Sequence, residues 1–126
     1  LAQPRNLIGG HVVSAIVGVT AQKLFPDTLY IAAPLAVSFS IVMMQITKTL
    51  HPPGAATALI AAPASPQLKS IGYFYVISPV LSGALILLIT ALIFNNLTSK
   101  RSYPTDHARH KFKKAFRLKR KQHPSN

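Results

Sequence analysis

The chain has 126 residues, is 49% hydrophobic and only 13% charged, and has a mean hydropathy of +0.32. It is too apolar and too poor in acidic groups for an ordinary soluble domain and reads as a membrane protein. Its 14 Lys and Arg face two Asp and no Glu, a formal charge of +12; ten of the cations and Asp106 lie in residues 100–126. A basic tail of net +9 therefore follows an apolar body of net +3, whose charged residues are Arg5, Lys23, Asp27, Lys48 and Lys69. The absence of Cys excludes disulfides and thiolate metal sites.

A membrane span needs about 20 mostly apolar residues. Residues 7–25 form the first such stretch, closed by Pro26 and Asp27. Gly10, Ser14 and Gly18 recur along it at i, i+4 and i+8, with Gln22 one turn further on; a stripe of small residues lets a second backbone approach closely. Residues 29–50 form the second stretch, in which Ser38, Gln45 and Thr49 define a polar line toward His51. Residues 71–96 form the third and most apolar stretch, with Pro79 as an expected kink and Ser78, Ser82 and Gly83 as a weaker packing face.

Between the second and third stretches, Pro52 and Pro53 interrupt any helix, and an apolar segment of residues 54–62 follows. At roughly 1.5 Å per residue that segment reaches only about 14 Å, half of a bilayer core. It is expected to be a short or re-entrant half-helix, the alternative being a tilted span continued after a proline kink. The whole implies an all-α, multi-pass transmembrane helical bundle with a half-helix after the break. After Tyr103 and Pro104, Thr105 can cap a tail helix and Asp106 suits its first turn. Ala108, Phe112, Ala115 and Phe116 share one face of that helix among cations. Such a tail lies on anionic lipid headgroups and fixes a cytoplasmic C-terminus.

The residues best placed for chemistry surround the break. Gly54, Ala55 and Ala56 open a helix whose free N–H groups suit an anion, beside His51, Pro52 and Pro53 and close to Lys48. Gln45 and Thr49 would line the approach, and His11 is a second histidine of the body. The rival for His51 is a bracing role at the break. Asp27 and Asp106 supply no acid–base pair, so no enzyme, cofactor or metal site is expected; His107 and His110 lack a third ligand nearby. Scarcity of carboxylates disfavours a cation pathway and favours a small inorganic anion. The competing class is a membrane scaffold or regulatory subunit acting through its tail on anionic lipid or a partner, with nucleic acid a weaker candidate.

Three ordered motifs resemble the HPP transmembrane family. They are Pro4-Arg5-Asn6-Leu7-Ile8-Gly9-Gly10-His11, the run Thr49-Leu50-His51-Pro52-Pro53-Gly54-Ala55-Ala56-Thr57-Ala58-Leu59, and Asn95-Asn96-Leu97 followed by basic residues and Tyr103-Pro104. The resemblance covers about residues 1–104. It implies a small multi-pass protein, usually of four spans, in a bacterial inner membrane or a plastid envelope, with members linked to nitrite transport. A further span and a Gly-Ala-rich segment before Leu1 are implied as well, so the chain reads as N-terminally incomplete, with a homo-oligomer as a further expectation. Some family members carry regulatory CBS domains after the membrane body; the tail here is too short for one. Residues 65–69 also echo residues 1–5, with Lys69 and Arg5 in similar places, as two halves of a duplicated unit would.

Overall fold

A computed structural model describes residues 3–63 and 65–97. The chain divides into two units, residues 1–89 and residues 90–126. Helix α1, Pro4–Leu24, begins with Pro4 in its first turn, where a missing N–H costs nothing, and ends where Phe25 leaves helical backbone before Pro26. After the turn, α2 spans Leu29–Ile46. The short α3, Gly54–Ala61, follows the proline pair, and α4, Pro66–Ile71, is capped by the Ser65 hydroxyl accepting from the Leu68 N–H. A kinked segment, Val76–Leu81, leads into α5, Ser82–Leu97. The protein is an all-α membrane protein. Pro4–Leu24, Leu29–Ile46 and Val76–Leu97 are each long and apolar enough to cross a bilayer.

The first unit is assembled on α1, which packs against both α2 and α3. Its buried face comprises Leu7, Gly10, Ser14, Ala15, Gly18, Val19, Ala21 and Gln22, and so contains the whole small-residue stripe. The facing stripe of α2 is Ala32, Ala36, Ser40 and Met44, each fully buried at i+4 spacing. This corrects the polar line expected on α2: Ser38 and Gln45 are exposed, and Thr49 lies beyond the helix. Small side chains win the contact because apolar burial gives no advantage over lipid, so close packing decides which face turns inward. Ser14 reaches across to donate to the Met44 thioether at 3.7 Å.

The second span also ends earlier than the expected residue 50. The Lys48 N–H donates to the Gln45 carbonyl (3.1 Å) and the Thr49 N–H to the Met44 carbonyl (2.9 Å), with Lys48 in the left-handed region at φ 55°. This pair of bonds is a Schellman motif, which satisfies the last carbonyls of α2 before the prolines are reached.

The path of the following segment is set by contacts at both ends of α1. Arg5 donates to the Thr47 carbonyl (3.3 Å) and Asn6 to the Leu50 carbonyl (3.2 Å), so the break begins at the first turn of α1. Gly54 then meets Gly10, and Ala58 and Ala61 meet Gly18, so α3 runs beside α1 in the same direction. Ala62, Pro63 and Lys69 share a small cleft with Phe25, Pro26 and Asp27, and Lys69 Nζ donates to the Pro26 carbonyl at 3.0 Å. Residues 47–63 thus travel from the Arg5 end of α1 to its Pro26 end.

The third stretch is not one helix from residue 71. Gly72, at φ 51°, ends α4, and Ser78 before Pro79 adopts extended backbone (φ −135°, ψ 122°), as residues preceding proline do. Tyr75 and Val80 join Ala15, Val19 and Ala61 in a buried cluster. Tyr73 shares a 3.0 Å hydrogen bond with Thr20 and lies under Lys23, whose Nζ is 5.6 Å from the ring centre. Among the described residues the expected face of Ser78, Ser82 and Gly83 is not a packing face: both serines are exposed, and nothing lies within 4 Å of a Cβ built on Gly83. In the second unit, Asn95 and Asn96 donate to the carbonyls of Ala91 and Leu92 one turn back, each at 2.8 Å. The basic tail and its amphipathic pattern lie outside the described residues.

Candidate functional site at the proline break

Pro52 and Pro53 do not simply stop a helix. Pro53 has right-handed backbone (φ −59°, ψ −24°), and the N–H groups of Gly54, Ala55 and Ala56 donate to the carbonyls of His51, Pro52 and Pro53 at 2.7, 3.0 and 3.2 Å. The prolines form a tight i to i+3 turn that feeds α3, a position that their fixed φ and missing N–H allow. This corrects the expectation of free N–H groups at the start of α3: the three donors expected to cradle an anion are already bonded.

Gly54 has a steric role instead. A Cβ on it would lie 3.0 Å from the carbonyl carbon and oxygen of Gly10. A Cβ on Gly10 would in turn lie 2.6 Å from the Cβ of His51 and 3.0 Å from the Thr49 carbonyl oxygen, and one on Gly9 would lie 2.6 Å from the Thr49 methyl. The two glycines of α1 and the glycine of the break are where two backbones cross without intervening side chains.

That crossing brings two histidines together. The rings of His11 and His51 stand edge to face, 5.3 Å between centres at 60°. His11 Nδ1 shares a 2.7 Å hydrogen bond with Thr57 Oγ1, its donor set by the imidazole tautomer. The Thr57 carbonyl accepts from the Tyr75 hydroxyl at 3.3 Å. His51 and Thr57 are each 8% exposed, and His51 Nδ1 is buried without a hydrogen-bond partner. A buried, unpartnered polar atom carries a desolvation cost of about 1–3 kcal/mol, so its retention here calls for an explanation. Among the described residues no group of three His, Cys, Asp or Glu could hold a metal.

The remaining sequence-derived candidates are dispersed. Thr49 is buried and bonds Thr47 through their hydroxyls at 2.7 Å, whereas Gln45, Lys48, Pro52, Pro53 and Ala56 are exposed and Ala55 is half-buried. Sequence reasoning assigned no role to Arg5 and Asn6, which take up carbonyls of the break, nor to Thr57, which bonds His11, and Tyr75, which bonds the Thr57 carbonyl. Periodicity could have placed Thr57 on the inner face of α3, three residues after Gly54. His107 and His110 lie outside the described residues.

A family profile described as the HPP transmembrane region matches residues 1–104. Two transmembrane proteins of Dictyostelium discoideum are 51% and 50% identical over 107 residues, in each case 82% of this chain. The chain spans only 37% and 34% of their lengths. No solved structure matches. With the glycine pair, the proline break and the apolar helices all within the matched region, the chain belongs to the HPP transmembrane family.

Proposed function

We propose that this chain is the membrane body of a transporter or channel component for a small anion, with nitrite as the anion that the family resemblance names. The observation that carries the reading is the cluster of half-buried His11 with buried His51 and Thr57, with His51 Nδ1 unpaired, at an interruption of the helical path. Unwound segments between packed helices are where transporters place their solute sites. Residues 1–99 contain four cations and the single carboxylate Asp27, which belongs to the turn at the far end of α1. The imidazoles recognise the solute in place of the backbone donors already bonded within the turn. Residues 47–63 are then one discontinuous crossing, and Arg5 and Lys48 are the cations at its mouth. The ten cations of the tail put the C-terminus on the cytoplasmic side. A bacterial inner membrane or a plastid envelope is the location that the resemblance favours, which membrane fractionation of the source cell checks.

The test is nitrite uptake into liposomes bearing the full-length protein. His51→Ala is expected to lower uptake at least tenfold at equal protein level, and removal of residues 105–126 is expected to leave it intact. Equal uptake with His51→Ala would remove His51 from the mechanism. Activity that depends on the tail and not on the histidine would favour the scaffold.

A further inference from the structure

We infer that the histidine pair couples anion binding to the uptake of one proton, so that the solute is carried as a monovalent anion together with H⁺. The inference rests on the proposed anion site and deepens it. Its premise is a charge inventory around the pair. From α1 the nearest formal charge is Arg5, whose guanidinium is engaged by the Thr47 carbonyl. The break contributes Lys48, which is exposed, and α3 contributes no titratable side chain. In α2 the titratable residue is Tyr30, in its first turn, 92% exposed. From the segment after α4 come Tyr73, bonded to Thr20, and Tyr75, bonded to the Thr57 carbonyl. Lys23 and Lys69 belong with Asp27 to the opposite end of α1. Among the described residues, then, no carboxylate faces the pair.

Two consequences follow. Rings 5.3 Å apart cannot both be imidazolium in a site of low dielectric, because the like charges repel and neither has a counter-charge. One proton on the pair also needs a negative partner, and the described residues provide none. A bound anion provides it. His51 Nδ1, which has no acceptor or donor opposite it among the described residues, becomes an N–H donor to that anion when it takes the proton. Thr57 holds His11 in register through Nδ1, which leaves His51 as the ring whose protonation answers the ligand. By linkage, the anion raises the proton affinity of the pair by the same factor by which the proton raises the anion affinity. The proton comes from the water on the side of entry and leaves with the anion on the other, so no net charge crosses.

The experiment is calorimetric titration of sodium nitrite into the purified full-length protein at pH 8, in two buffers of different ionisation enthalpy. The difference in heat gives the protons taken up per anion, expected to be close to one, with affinity then falling about tenfold for each unit by which the pH is raised. His51→Gln, with folding checked by its melting curve, is expected to abolish the proton uptake. Nitrite binding with heats independent of buffer and affinity independent of pH would overturn the coupling while leaving the anion site standing. No binding of nitrite, nitrate, chloride or formate at any pH would overturn the anion site and the coupling together. The unmodified protein alone decides between these outcomes, so a variant that fails to fold does not rescue the inference.

Discussion

Gly10 and His51 approach so closely that the glycine has no room for a side chain: a Cβ on Gly10 would stand 2.6 Å from the Cβ of His51. The contact joins the first two of the three motifs, and the steric consequences differ from one glycine to the next.

Gly18→Ala is expected to be the most damaging of the glycine-to-alanine changes. Its new methyl would meet the Ala58 Cα and carbonyl oxygen at 2.7 Å, and backbone cannot rotate away. A loss of about 1–3 kcal/mol is expected from overpacking. Gly83→Ala, in α5 with open space around it, should be neutral or gain about 0.5–1 kcal/mol from helix propensity. Thermal unfolding of the two variants in the same detergent compares them directly, and equal melting temperatures would count against the packing described.

Thr57→Val keeps the shape of the side chain but removes the partner of His11 Nδ1. Leaving a half-buried imidazole nitrogen unpaired is expected to cost about 1–3 kcal/mol, against less than 1 kcal/mol for Thr57→Ser, which retains the hydroxyl. Denaturant titration of both variants checks the difference.

Lys48 occupies the left-handed position that ends α2, where glycine is the residue without strain. Lys48→Gly is therefore expected to stabilise the protein by about 1 kcal/mol despite the loss of a charge. A lower melting point than the parent would show that the lysine side chain contributes more than its backbone costs.

Because the chain contains no Cys, single-cysteine variants need no prior substitutions. Lys48→Cys and Lys69→Cys lie toward opposite ends of α1 and should react with an impermeant maleimide from opposite faces of a sealed vesicle. Labelling of both from one face would restore the re-entrant loop.

Hydropathy and proline positions sufficed to place the apolar helices, because both act locally. The small-residue stripe of α1 was legible for the same reason, since i+4 spacing in one helix defines its face. The inner face of α2 was not, because Ser38 and Gln45 invite burial by their polarity, while the contact was decided by how closely Ala32 and Ala36 let α1 approach. The end of α2 was missed because Lys48 is an unusual residue for a left-handed cap. The partners of His11 were not legible either: Thr57 is 46 positions away, and nothing in the local pattern announces the pairing.

The hydrogen bonds from α1 to the break also impose an order on synthesis. Asn6 and His11 find their partners 44 and 46 residues later in the chain. During insertion, α1 therefore enters the membrane with its polar groups unmatched and waits for α3 to be made. Until then it needs a hydrated or protein-lined shelter, and lateral release into lipid belongs to α1, α2 and α3 as a set.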